Sequence, residues 1–330
     1  GVDAGHVGSR KRKQPIDGDG LAGDRGAGCV HEDSCLGTAR DGGRAVCGDN
    51  GYAIRHGQDE HNVRPPWDEN RLGAVSANTL DGAGGEPVAE DRVLDGRVRL
   101  RQAARGYRAG LDAALLAAAC DVAEGGRVLE AGCGVGAALL AAAVRRPGAS
   151  FTGLERDPAA AALARENVAL NGLEARVAIL EADIGQPFAR LGLPVFDAAM
   201  ANPPFFDDPT ALRAPDPAKS AAWMAEGGLS AWTGFLAKAV REGGTITLIH
   251  RADRLADLLA LLAPKAGSFQ IRGIHPFADA PAKRVLVRAV KTGKAPLKLL
   301  PPLVLHPRGD GKHTAEAEAI LRGEAALSWD

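Results

Sequence analysis

From Arg127 onward, short aliphatic runs alternate with longer Ala- and Leu-rich stretches, and this alternation limits the chain to few folds. The runs at 127–131, 150–155, 176–181, 196–201, 244–250, 268–274 and 284–290 read as strands. The stretches at 137–146, 158–171, 229–241 and 252–262 read as helices between them. Strand–helix–strand repetition of this kind gives a parallel sheet with helices on both faces. The last two strands are joined by a short polar loop with no room for a helix, so they are expected to pair antiparallel at one edge. The expected fold is therefore α/β and Rossmann-like, with a seven-stranded, mostly parallel sheet and one antiparallel edge strand.

The first strand runs into Glu130-Ala131-Gly132-Cys133-Gly134-Val135-Gly136 before a helix begins. Glycines in such a turn let the backbone approach a ligand, and the helix N-terminus offers free N–H groups. Glu155 ends the second strand, 19 residues past Gly136, where its carboxylate can accept from both hydroxyls of a ribose. This predicts a nucleoside cofactor. The loop alone does not choose which, because Gly132-x-Gly134-x-x-Ala137 also satisfies the dinucleotide fingerprint and Glu155 would serve NAD equally well.

Three features favour S-adenosylmethionine. Glu130 puts a carboxylate where a methionine ammonium would be near and a pyrophosphate would be repelled. Asp183 follows the third strand, able to accept from an adenine amino group, with Ile184 beside it to pack on the ring. The fourth strand ends in Asn202-Pro203-Pro204-Phe205-Phe206. Each proline fixes its own φ and pushes the residue before it out of the helical region, so the carbonyls there are held still. The Asn202 side-chain oxygen and the Pro203 carbonyl can then face a planar amine while Phe205 lies against the ring that carries it. All four sites fall at carboxyl ends of strands, where ligands bind in open α/β sheets.

With these motifs the chain resembles a class I S-adenosylmethionine-dependent amino methyltransferase, whose fourth motif is (Asn/Asp)-Pro-Pro-(Phe/Tyr). Residues 106–112, the run Ile249-His250-Arg251-Ala252-Asp253-Arg254-Leu255 and the tail 299–306 further resemble the bacterial family that methylates N6 of an adenine beside the anticodon of valine tRNA. The resemblance covers about residue 90 to the end. It implies that Glu130, Gly132, Gly134 and Gly136 hold the methionine part, Glu155 the ribose and Asp183 the adenine, while Asn202, Pro203 and Phe205 hold the target base. Phe205 stands where tyrosine is also common, so stacking survives without a hydroxyl. The same motif serves enzymes that methylate guanine N2 of ribosomal RNA or a glutamine amide of a protein. A non-catalytic RNA-binding module and an NAD dehydrogenase are the more distant alternatives, the latter lacking a His/Arg/Asp constellation near the loop.

Charge supports an RNA partner. The net charge is only −1, but residues 238–312 hold 14 Lys or Arg against 5 Asp or Glu, and Arg92, Arg97, Arg99, Arg101, Arg105 and Arg108 crowd the stretch before the sheet. A polyanion is drawn to such surfaces. Arg108 and Arg251 are candidates for phosphate contacts, and the expected partner is tRNA, bound by a monomer in the cytoplasm. No apolar run reaches the roughly 18–20 residues of a membrane span.

The remainder reads blandly. Residues 1–88 have few aliphatics and no sustained period, which predicts disorder, or a tract foreign to the working protein, since the chain starts without methionine. The catalytic domain is expected over 89–330, with a hairpin and helix at 89–122 and the sheet at 123–330. Within the first part, Asp95-Gly96 signals a turn, 97–101 alternates as a strand with an arginine-rich outer face, and Asp112 is expected to cap a helix at 113–120. Cys29, His31, Cys35, Cys47, His56 and His61 fit no zinc spacing, the five cysteines form no C-x-x-C pair, and His306, Asp310 and His313 lie in a Gly/Pro-rich turn, so no metal is expected. Cys133 reads as a space-filler, and Trp223 and Trp232 as core.

Overall fold

The computed structural model describes residues 79–81, 87–104, 110–205 and 227–330, all within the compact unit Arg64–Asp330. The six N-terminal Cys and His residues named above lie outside the described residues, as do Arg105, Arg108, Phe206 and Trp223.

The described chain opens with a small antiparallel sheet of β1 (Thr79–Asp81), β2 (Pro87–Val93) and β3 (Val98–Ala103), with Asp95 and Gly96 both at positive φ in the turn. Its arginines are not a bare basic face. Arg99 donates two hydrogen bonds to the Glu90 carboxylate, at 2.9 and 3.0 Å, and Arg101 lies between Glu90 and Glu166. Helix α1 (Leu111–Ala118) follows, and Asp112 does not cap it. Gly110 takes the N-cap position, and the Asp112 carboxylate accepts instead from Arg284 Nε at 3.0 Å, a residue 172 positions later.

The main sheet is built from β4 (Arg127–Ala131), β5 (Ser150–Glu155), β6 (Val177–Glu181), β7 (Phe196–Ala201), β8 (Val240–Arg251), β9 (Ala266–His275), β10 (Arg284–Lys291) and β11 (Lys298–Val304). Their order is β11-β9-β10-β8-β7-β4-β5-β6. The sheet therefore has eight strands rather than the expected seven. One strand is antiparallel, as expected, but it is β10, paired on both sides by β8 and β9, and not an edge strand. The missing strand is β11, which pairs parallel to β9 and covers that edge. Its Pro301-Pro302 pair argues against a strand by itself. Proline lacks the N–H a central strand needs, and it is admitted here because β11 is an edge and its register shifts between Leu300 and Leu303.

Helices α2 (Ala137–Arg145), α3 (Pro158–Leu170), α4 (Gly228–Ala239), α5 (Leu255–Leu262) and α6 (Ala315–Arg322) complete the unit. Asp157 caps α3, its carboxylate accepting from Ala159 and Ala160, with Pro158 at the first helical position where no N–H is needed. Residues of α1, α2, α3 and α6 share one apolar core with Val128, Phe151 and Met200 of the sheet. Residues of α4 and α5 share another with Leu129, Leu154 and Ala199. Adjacent residues of β4 thus bury on opposite faces, which is why that strand carries no alternation of polar and apolar residues.

Candidate active site

The sheet order places β7, β4, β5 and β6 side by side, so the four segments singled out above line one edge in the sequence 202–205, 130–136, 155, 183–184. Between β4 and β7 the winding reverses, with β5 and β6 on one side and β8 on the other, and such a switch point opens a crevice above the sheet. A cavity of about 190 Å³ sits there, walled by Gly132, Glu155, Asp183, Ile184, Pro204 and Trp232. Of the twelve residues that line it, five are ones the sequence points to, Gly132, Glu155, Asp183, Ile184 and Pro204, whereas Glu130, Gly134, Gly136, Asn202, Pro203 and Phe205 are not part of its wall. Trp232, expected in the core, also packs on the α4–α5 core but presents a surface to the cavity.

The glycine loop is tied down at each step. Cys133 N–H donates to Leu154 O at 2.9 Å, Gly134 N–H to Glu155 Oε2 at 2.8 Å, and Gly136 N–H to Cys133 O at 2.8 Å. Gly132 has φ +65°, and a Cβ there would stand 2.4 Å from Cη2 of Trp232, so backbone meets indole with no room for a side chain. At Gly134, φ +54°, nothing lies within 4 Å of where a Cβ would be. One glycine is fixed by a close neighbour and the other borders open space, as a loop that cradles a ligand requires.

Two carboxylates flank the loop in different states of satisfaction. Glu155 accepts from Gly134 and, through Oε1, from Asp157 N–H at 2.9 Å. Glu130 is buried at 3% exposure and its Oε2 has no hydrogen-bond partner. Burial holds its carboxyl well above the usual carboxylate range, the nearby Glu155 charge adds to this, and a hydrogen bond from the Leu139 backbone works against it. An unpartnered buried acceptor beside an open loop is what a cationic ammonium would satisfy. Asp183 Oδ1 accepts from Gly185 N–H at 2.8 Å, which leaves its second oxygen for a donor in the cavity. These residues fit the donor and acceptor pattern of S-adenosylmethionine: an ammonium, a ribose diol and an exocyclic amine in a row.

Next to that row, Asn202 leaves β7 with its Oδ1 buried and unpartnered. The Phe205 ring meets the His250 ring edge to face, with centroids 4.8 Å apart and planes at 84°, and the Arg284 guanidinium lies 5.1 Å from the Phe205 centroid. His250 ends the buried part of β8. Burial pulls its imidazole down to about 4, with Arg251 and Arg284 pushing in the same direction, so it is uncharged at neutral pH. Arg251 is in an ion pair with Asp253. The sequence alone assigns no role to His250 in the run 249–255 and does not place Arg284 at this edge. Arg284 reaches this edge only because β10 runs antiparallel, which brings its first residue beside the last residues of β8. Cys133 is buried and its thiol is raised well above its usual value by burial, consistent with a space-filler.

The methyltransferase small domain profile matches residues 108–214. A crystal structure of a protein described as a predicted O-methyltransferase from Agrobacterium tumefaciens superposes with a TM-score of 0.55 at 29% identity, over 66% of this chain and 98% of that one. The chain belongs to the class I S-adenosylmethionine-dependent methyltransferases. The cofactor of this family is S-adenosylmethionine. Among curated relatives, the tRNA1(Val) (adenine(37)-N6)-methyltransferase of Porphyromonas gingivalis is 32% identical over 169 residues, 49% of this chain and 66% of that protein. The protein of the same description from Yersinia pestis is 38% identical over 107 residues, 32% of this chain and 43% of that protein. The matched stretches thus span 66% and 43% of the lengths of these relatives. Among the described residues, no helix is long and apolar enough to cross a membrane.

Proposed function

We propose that this methyltransferase transfers a methyl group to the exocyclic N6 of an adenine in tRNA near the anticodon. The observation that carries the reading is the buried, unpartnered Asn202 Oδ1 at the end of β7, one strand from the glycine loop. An orphaned acceptor in such a place costs stability unless an N–H donor fills it, and an aromatic amine supplies one. The tRNA relatives supply the acceptor class, and the basic stretch 238–312 favours RNA over a protein amide.

Glu130 and the loop Gly132–Gly136 hold the methionine end, Glu155 the ribose, and Asp183 with Ile184 the adenine. When bound, the cofactor supplies a methyl group on a sulfonium. Asn202 Oδ1 and the Pro203 carbonyl accept the two N–H bonds of the target amine, which favours a tetrahedral nitrogen with its lone pair facing the cavity. Pro203 and Pro204 keep that carbonyl still. Phe205 stacks on the base, worth about 1–3 kcal/mol, and is itself braced by His250 and Arg284. Alignment does most of the work. The nitrogen becomes cationic as the N–C bond forms and the C–S bond breaks, and it then releases a proton to water, so no strong base is needed. Arg251, and Arg108 outside the described residues, would contact phosphates.

The test pairs transfer of labelled methyl into tRNA lacking its native modifications with binding of S-adenosylhomocysteine. Wild type should give labelled N6-methyladenosine. Asn202→Ala should lower transfer at least a hundredfold while binding changes less than about twofold. Label appearing in ribosomal RNA or protein instead would refute the acceptor, and equal loss of binding and transfer would refute the role of Asn202.

A further inference from the structure

Asn167 of helix α3 and Asn171, which caps its C-terminus, stand one turn apart on the same side. Both amides serve the free edge of β3. Asn171 Oδ1 accepts Arg99 N–H at 2.9 Å and its Nδ2 donates to Arg99 O at 2.7 Å. Asn167 does the same for Arg101, at 2.7 and 2.8 Å. Residues 99 and 101 both turn their backbone groups away from β2, so the two side chains take the place of a neighbouring strand.

The two differ in what else they hold. Asn171 Nδ2 donates back to Asn167 O within the helix, at 2.7 Å. Asn167 Nδ2 instead donates to Val135 O, at 2.9 Å, inside the glycine loop. That carbonyl shares a peptide plane with Gly136 N–H, so fixing one fixes the other. Asn167 is fully buried, with its acceptor and both donors used.

We propose that Asn167 is a positioning residue for the cofactor loop, locking the Val135–Gly136 peptide to β3, so that the N-terminal sheet is part of the S-adenosylmethionine site. The proposal rests on the reading of Gly132–Gly136 as the cofactor-holding loop. Without the Asn167 amide the peptide keeps only the Gly136 N–H bond to Cys133 O, and the loosened loop must lose more freedom when the cofactor binds, which lowers affinity.

Asn171 provides the matched control, since its removal costs β3 the same pair of bonds and leaves the loop untouched. In the full chain, S-adenosylhomocysteine binding is measured by calorimetry for Asn167→Ala, Asn171→Ala and Glu155→Ala, with thermal unfolding of each. Asn167→Ala should weaken binding about five- to tenfold and raise KM for S-adenosylmethionine with little change in KM for RNA. Asn171→Ala should lower the melting temperature similarly and leave binding within about twofold. Equal binding loss in both asparagine variants, or none in Asn167→Ala, overturns the proposal. If Glu155→Ala also binds normally, it is the loop reading that has failed. Should Asn167→Ala not fold, Asn167→Asp keeps the acceptor for Arg101 N–H while losing both donations, to Arg101 O and to Val135 O, and carries the same expectation.

Discussion

His250 should make the protein lose stability in mild acid, by an amount set by its burial against Phe205. The imidazole is 2% exposed and titrates at about 4 rather than 6.5, chiefly because burial disfavours its charged form. Arg251 and Arg284 oppose protonation further, and Asp253 and a hydrogen bond to the Arg251 backbone favour it. A group whose folded value is depressed gives stability that is present above its unfolded value and lost as pH falls toward the folded one. At about 1.4 kcal/mol per pH unit of displacement, moving from pH 7.5 to pH 4.5 should cost about 2.5 kcal/mol through His250 alone. Carboxylates titrate over the same range, so the informative quantity is a difference. The stability of His250→Leu, apolar and of similar volume, measured relative to wild type, should rise by about 2.5 kcal/mol between pH 7.5 and pH 4.5. Guanidinium unfolding of both proteins at the two pH values measures it. Parallel stability curves for the two proteins would refute the buried neutral imidazole.

Two further outcomes follow from the loop. A Cβ on Gly153 of β5 would lie 2.7 Å from Cys133 Sγ, 2.8 Å from Leu139 Cδ2 and 3.0 Å from Ile179 Cδ1, so Gly153→Ala should cost roughly 1–3 kcal/mol by overpacking. Adding Cys133→Ala should restore part of that, which a double-mutant cycle reads directly, and simple additivity would show the sulfur is not the obstacle. Glu130→Gln removes a carboxyl whose raised value means its stabilising contribution is present below about 4.5 and lost as pH rises through the raised value. The variant should therefore unfold at higher temperature than wild type at neutral pH, with the gap closing below pH 4.5, while its S-adenosylhomocysteine affinity falls. A variant no more stable than wild type at neutral pH would contradict this.

Local chemistry determined much of the protein from the sequence alone. Strands β4, β5 and β7 are found at the expected bounds, because each is a buried run ended by residues that cannot continue it: glycine after Ala131, the cap Asp157 and its proline after Glu155, and Asn202-Pro203 after Ala201. The row Glu130, Glu155, Asp183, Asn202 was legible for the same reason, since in a parallel sheet every strand end falls on one edge. Tertiary structure alone decided which distant residues complete that edge. Strand β11 reads as a proline-broken loop until β9 offers it an edge, and Arg284 reaches Phe205 only because β10 is reversed between β8 and β9. The arginines of β3 looked like a basic surface until folding set Glu90 and Glu166 against them. Asn167 and Asn171 carry no signal in the sequence beyond their place in the last turns of a helix. Their partners are main-chain atoms, which carry no side-chain signature, so nothing in the sequence could say that one of them reaches the glycine loop.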